Sequence, residues 1–316
     1  MHDICFFLPR FAWWPRRASR TKVRNPRRGS FRNVTHKYFT HTAAIFVFVS
    51  AQLSCIQVHL HRRNRHLVKQ EDAVIIAIHL LGKLLGFTSE RAWHRFVTGN
   101  LFTNGSFLER SRYNHRCRAL GFVIKWIRHE LAKRGQHHAY AVVDSLPLPL
   151  CHTARMHRVK RFQEIADIGY CASKKQWYYG LKLHLQVTDQ GLPMGYVVTE
   201  ASCHDRIAAE SVMTQIPHPY NFGDKGFISR DLQKRLYEEY QMALWTPSRK
   251  NQKHRASETW EQWIQQKRKV IETVFSVLVD HYRITGIRAN SIIGFEVALD
   301  GILLAYSLVT LGLVER

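Results

Sequence analysis

The stretch AYAVVDSLPLPLC, residues 139–151, decides the reading of the chain. The run from Ala139 to Val143 reads as a buried strand. It ends in a carboxylate, Asp144, and two prolines, Pro147 and Pro149, stiffen the exit. An acid at an apolar edge costs free energy unless it is paired or binds a metal. A buried strand that delivers an acid to its end therefore points to a site at that end.

Elements follow on the C-terminal side. Residues 177–187, WYYGLKLHLQV, read as a long strand, and TDQGLP is a turn signal. MGYVVTEA, residues 194–201, is the returning strand of a hairpin. Residues 204–216 read as a helix, and YNFGD is a short strand ending in a second acid, Asp224. A helix over 229–240 starts at Ser229, a strand over 242–247 stops at Pro247, and 257–280 is a long helix. This order predicts an α/β fold, a mixed sheet flanked by helices, over residues 136–290.

Upstream, EDAVIIAIHLLGKLLGF (71–87) has one apolar helix face, and Gly86 stops it. Ser89 is a candidate N-cap for the next helix. Residues 111–135 read as one long basic helix or two short ones. Residues 67–135 thus form a small helical domain with a basic outer face. That face suits DNA backbone contact and, equally, a plain solvated surface. Residues 1–66 are a basic, irregular N-terminal extension in which no periodicity persists. They fit a nucleic-acid-binding arm as well as a misplaced start. Residues 291–316 are a C-terminal packing helix, with Glu296 and Asp300 one turn apart.

Charge narrows the partners. Lys and Arg number 47 against 24 acids, a formal charge of +23. Residues 1–70 carry 14 Lys/Arg and one acid, Asp3, so over half the excess lies there. Such a balance favours a polyanion, nucleic acid first. The six cysteines include no CxxC pair, which suits a reducing, cytoplasmic setting rather than a zinc module or a disulfide framework. The apolar stretch 43–60 is broken by Ser, Gln and His, so no membrane partner is expected.

A third acid, Glu272, lies inside the long helix in RKVIETVF. Three carboxylates on two strand ends and one helix can meet at one point. Such hard oxygen ligands suit Mg²⁺ or Mn²⁺. Two ions about 3.5–4 Å apart would clamp the attacking and leaving oxygens of a phosphoryl transfer. Each acid also has a plain reading: Asp144 begins a turn, Asp224 belongs to a GDKG turn, and Glu272 pairs with Arg268 at i,i+4.

The blocks AVVDSLPLPLC, YGLKLHLQVTDQGLPMGYVVTEASCHD, FGDKGF and RKVIETVFSVL resemble, in this order, those of bacterial insertion-sequence transposases of the DDE type, and most of all the insertion sequence nine-eighty-two family. The resemblance spans about residues 69–310 and is most specific over 139–280. It implies an RNase H-like catalytic core with two divalent ions, Mg²⁺ or Mn²⁺, on the triad Asp144, Asp224 and Glu272. Arg268 matches the Arg of the last motif; Gln265 and Val279 stand where related transposases carry Tyr and Lys. The implied reaction is cleavage at the transposon ends followed by strand transfer into target DNA. The helical domain would hold the terminal inverted repeats, and a homodimer would bring two ends together. Lys174, Lys175, Lys182 and Lys225 would line the DNA path with Arg268, the alternative for the first three being an edge strand with lysines. His204 and Asp205 start a helix, with Asp205 as its N-cap, beside the metal ligands. A nuclease that cuts without joining, or an inactive DNA-binding remnant, is the alternative function.

Overall fold

The computed structural model describes residues 30–56, 68–172, 174–248 and 256–315. Residues 39–316 form one compact unit and residues 1–38 another. Of the N-terminal extension, residues 1–29 and 57–66 lie outside the described residues. Residues Ser30–Ile56 form helix α1, where the sequence pattern predicts no helix. Within the larger unit Ile45, Val49 and Leu53, spaced by four, carry α1 into the core.

Four helices follow: α2 (Asp72–Leu84), α3 (Glu90–Phe96), α4 (Arg110–Ala119) and α5 (Gly121–Ala132). Gly86 takes a φ of +71° after α2, and the Ser89 hydroxyl accepts from the Ala92 amide at the start of α3. The basic stretch 111–135 splits into α4 and α5 at Leu120.

Six strands make one mixed, curled sheet. They are β1 (Ala141–Pro149), β2 (Asp167–Cys171), β3 (Gln176–Thr188), β4 (Pro193–Glu200), β5 (Tyr220–Phe222) and β6 (Ala243–Trp245). The order is β2-β3-β1-β5-β6, with β4 also on β3. Strand β3 pairs antiparallel with β1 along one edge and with β2, then β4, along the other. Strands β1, β5 and β6 run parallel. Four helices complete the fold: α6 (Asp205–Met213), α7 (Arg230–Tyr240), α8 (Glu258–Asp280) and α9 (Ile292–Thr310). Strand β2 has too short a pattern to read from sequence.

Strand β1 corrects one expectation. It does not end at Asp144 but runs five residues further, pairing Asp144 with Leu185 and Pro149 with Gly180. The prolines are tolerated because of their parity. The Leu150 amide donates to the Tyr179 carbonyl on β3. The odd-numbered positions 147 and 149 therefore point their nitrogens away from β3, where no ladder bond is lost.

Period-two alternation separates the sheet faces. Val142, Leu148, Leu181, Leu183, Leu185 and Phe222 pack against Ile264, Ile271, Val274 and Leu278 of α8 and against α9. Val143 packs the other way, on Ala209 and Val212 of α6 and Leu232 and Leu236 of α7. Helix α9 also joins the core of α2 to α5 through Val297, Leu304 and Leu308. It is the one described helix long and apolar enough to cross a membrane, and 67% of its apolar window is buried inside the fold.

One buried ion pair ties α5 to α9 and β4. Arg128 Nε donates to Asp300 Oδ1 at 2.9 Å, and the Tyr196 hydroxyl donates to the same oxygen at 2.9 Å. Arg128 also donates to the Met194 carbonyl at 3.1 Å. Removing one partner strands the other charge. Arg128→Ala is expected to cost about 3–5 kcal/mol in urea unfolding. A change below about 1 kcal/mol contradicts this assignment.

Candidate active site

The acids gather where β5 stops. Strand β1 has β5 beside it only at Ala141 and Val142, whose partners are Asn221 and Phe222. Two residues further along β1 comes Asp144, and two residues beyond β5 comes Asp224. Both strands thus release their acids into the gap left by the parallel ladder.

Asp144 lies on the α8 face of β1. Its Oδ1 accepts from the Ser145 amide at 2.7 Å, and its Oδ2 accepts from the Arg268 guanidinium of α8 at 3.0 Å. Burial, and then the nearby charge of Asp224, push its carboxyl up from 3.8 to about 6, against the pull of Arg268. Asp205 adds a smaller push in the same direction. Asp224 is folded by its own turn: its Oδ1 accepts from the Gly226 amide at 2.7 Å. Lys225, between them, is exposed.

Asp205 is where the sequence expectation is corrected. It is not the N-cap of α6; His204 is, its Nδ1 accepting from the Arg206 amide at 3.4 Å. Asp205 is the first helical residue, and its carboxylate meets β3. Lys182 Nζ stands 3.4 Å and His184 Nδ1 3.6 Å from its Oδ1. Lys182 also donates to the Cys203 carbonyl at 2.6 Å, which fixes the loop entering the helix. Burial, with help from Lys182 and against Asp205, lowers His184 to about 4. His184 is therefore neutral at pH 7.

Asp205 and Asp224 flank one glycine. A Cβ on Gly226 would stand 2.9 Å from Asp224 Oδ1 and 3.1 Å from Asp205 Oδ2. A side chain at this position would have to displace one or both carboxylates.

The structure thus brings Asp144, Asp224, Asp205, Arg268 and Lys182 into one neighbourhood. Glu272 lies one turn beyond Arg268 on α8, exposed, and has no hydrogen bond or ion pair among the described residues. The i,i+4 pairing of Glu272 with Arg268 is replaced by the Arg268–Asp144 pair. Lys174 and Lys175 are exposed in the turn before β3, and His204 is exposed at the start of α6. His184, which carries no motif signal in the sequence, joins the site because strand alternation sets it two residues from Lys182 on the same face of β3.

The donor set is oxygen-rich and short of positive charge. Burial, and then the charge of Asp224, keep the Asp144 carboxyl raised despite its contact with Arg268, and a divalent cation offsets both. The residue types therefore fit Mg²⁺ or Mn²⁺. Among the described residues, no three His, Cys, Asp or Glu side chains converge closely enough to hold an ion as they stand.

Comparison with known families gives one match. The family described as transposase DDE domain matches residues 134–292, half of the chain. The chain belongs to this family, which points to transposition and to an enzyme with DNA as its partner. No curated protein and no solved structure matches the chain.

The raised carboxyl of Asp144 has a consequence for stability. Between pH 3.8 and about 6 the folded chain holds a proton that the unfolded chain has lost. Stability therefore falls as pH rises through this window, and the loss persists above it. In EDTA at pH 7, Asp144→Asn is expected to be more stable than the parent by on the order of 2–3 kcal/mol. The difference should vanish toward pH 4, which thermal unfolding across pH reads directly. Equal stability at both pH values contradicts the crowding.

Proposed function

We propose that the chain is a DNA transposase, which cuts at the ends of its mobile element and joins them to target DNA. The observation that carries this reading is the meeting of Asp144 and Asp224 in the gap beyond β5, within a chain of the transposase DDE family. Residues 136–290 act as an RNase H-like core of the kind found in the insertion sequence nine-eighty-two group. Asp144, Asp224 and Glu272 form the acidic triad.

Two bound divalent ions would supply Lewis-acid stabilisation of the charge that develops on phosphate oxygens. The chain's own residues do the remaining work. Asp144 provides an oxygen fixed within the β1 ladder, and Asp224 one fixed by the turn it makes with the Gly226 amide just beyond β5. Glu272 approaches from α8, one turn beyond the helix contact with Asp144. Arg268 orients Asp144 and neutralises part of its charge before an ion arrives. Lys225, exposed next to Asp224, meets the DNA phosphate. Lys174 and Lys175 extend this cationic path, while Lys182 is held by Asp205 and Cys203. His204 fixes the start of α6 and so the position of Asp205.

The helical segment 67–135 supplies end binding. Helix α4 has four Arg and one His in ten residues and no acid. Tyr113 and Cys117 face inward, and Arg116 is paired with Asp72. Arg110, Arg112, His115 and Arg118 are left exposed. Three of these, with Lys69, border a concave surface that suits a phosphate backbone. Two ends must be held at once, which calls for a homodimer. The setting is cytoplasmic, where DNA is reached.

The decisive test uses the full chain, Mg²⁺ and a labelled duplex carrying the element's end. Cleavage and joining are expected, and both should fall at least about 10³-fold in Asp224→Ala, since an interaction that stabilises the transition state is removed. Cleavage without joining favours a nuclease. No metal-dependent reaction, with DNA binding retained, favours an inactive remnant.

A second expectation concerns α4. Arg110→Gln, Arg112→Gln and Arg118→Gln together should weaken duplex binding. They should also reduce the slope of log K against log salt by about 0.9 for each phosphate no longer neutralised. An unchanged slope removes α4 from the DNA interface.

A further inference from the structure

Lys182 and His184, on one face of β3, approach the Asp205 carboxylate, and two buried polar atoms on that face, His184 Nδ1 and the Tyr178 hydroxyl, have no hydrogen-bond partner. Tyr178, Lys182 and His184 alternate along the strand and so share a face. Lys182 and His184 approach Asp205 Oδ1, leaving Oδ2 beside Gly226 and Asp224. The His184 ring is fully buried. Its Nε2 is paired with the Thr199 hydroxyl at 2.9 Å, while its Nδ1 faces Asp205 with no hydrogen-bond partner. The Tyr178 hydroxyl, on a side chain 6% exposed, is also unpartnered and is influenced by the Asp205 charge. Buried polar groups are seldom left unsatisfied without a functional reason.

The same arrangement gives Asp205 what Glu272 lacks in this structure. The charge of Asp205 reaches Asp144, and only the space above Gly226 separates Asp205 from Asp224. The placement is also costly for a purely structural acid. A carboxylate in the first turn of a helix is stabilised by the helix dipole, but a solvent-facing one would gain the same benefit. Asp205 instead turns its Oδ2 toward Gly226 and Asp224. Two basic side chains on a rigid strand hold it there.

We propose that Asp205 is a fourth carboxylate of the cation site, contributing its Oδ2 beside Asp224, with Lys182 and His184 as the positioning residues that hold Oδ1. This rests on the divalent-metal reading of Asp144 and Asp224. It assigns to the site an acid outside the expected triad. His184, neutral and buried, donates or accepts at Nδ1 according to its tautomer. When it donates there, Asp205 Oδ2 stays free for an ion.

The test is Mn²⁺ binding to the full chain, followed by the electron paramagnetic resonance signal of free Mn²⁺, with no DNA present. Asp205→Asn is expected to weaken binding by more than about 10-fold, at or beyond the loss that follows removal of a group that merely supports a ligand. Asp224→Asn should weaken it at least as much. Asp205→Glu should recover part of the loss, which a merely structural role at the helix start would not produce. Should the Asn variant fail to fold, Asp205→Ser keeps a polar side chain there and is read in the same way. Parental affinity in Asp205→Asn together with loss in Asp224→Asn overturns this proposal and leaves the metal reading standing. Parental affinity in both variants overturns the two together.

Discussion

The site depends on a strand that is too short. Strand β5 covers three residues, so β1 loses its parallel neighbour after Val142. The antiparallel ladder with β3 continues on the other side and keeps β1 straight through Asp144 to Pro149. One edge is therefore rigid and the other open. A carboxylate placed at that step is held firmly by β3 on one side and has no parallel neighbour on the other, which suits a ligand that must hold its geometry at an edge DNA can approach. Arg268 crosses the gap from α8 and partly offsets the charge. Burial and the neighbouring charge of Asp224, which together raise the Asp144 carboxyl, are what make the step a place for a cation.

The rest of the fold supports this step. The apolar face of β1 and β3 rests on α8, which positions Arg268 and Glu272 on successive turns. The opposite face rests on α6 and α7, which brings Asp205 over β3. Helix α9 is packed into both the sheet core and the helical core, and the buried Arg128–Asp300 pair joins α5 to it. The segment proposed to bind transposon ends is thus continuous in packing with the sheet that carries the acids. Binding at one can be transmitted to the other through solid packing rather than a linker.

Much of this is legible in the sequence because short-range signals carry it. An apolar run closed by an acid marks Asp144, and a Gly-flanked acid marks Asp224. Ser89, Ser229 and Ser257 cap the helices they precede, each accepting from an amide three residues on. The differences have physical causes. The length of β1 depends on which edge its prolines face, and pairing partners are invisible in a single sequence. His204 takes the cap because an imidazole nitrogen also accepts an amide proton, which leaves Asp205 free to turn inward. The cup formed by Tyr178, Lys182 and His184 depends on α6 crossing β3, a contact between residues some twenty positions apart. Helix α1 escapes a reading by period because its apolar spacing is diluted by aromatic and polar residues on its other faces.

The central claim is that Asp144 and Asp224 act by binding a divalent metal during DNA cleavage. The most direct measurement is end cleavage by Asp144→Cys, compared in Mg²⁺ and in Mn²⁺. A thiolate is too soft a ligand for Mg²⁺ and is better accepted by Mn²⁺. The account predicts cleavage abolished in Mg²⁺ and partly restored in Mn²⁺, whereas the parent works in both. Equal activity of the cysteine variant in the two metals, at the parental level, would contradict it.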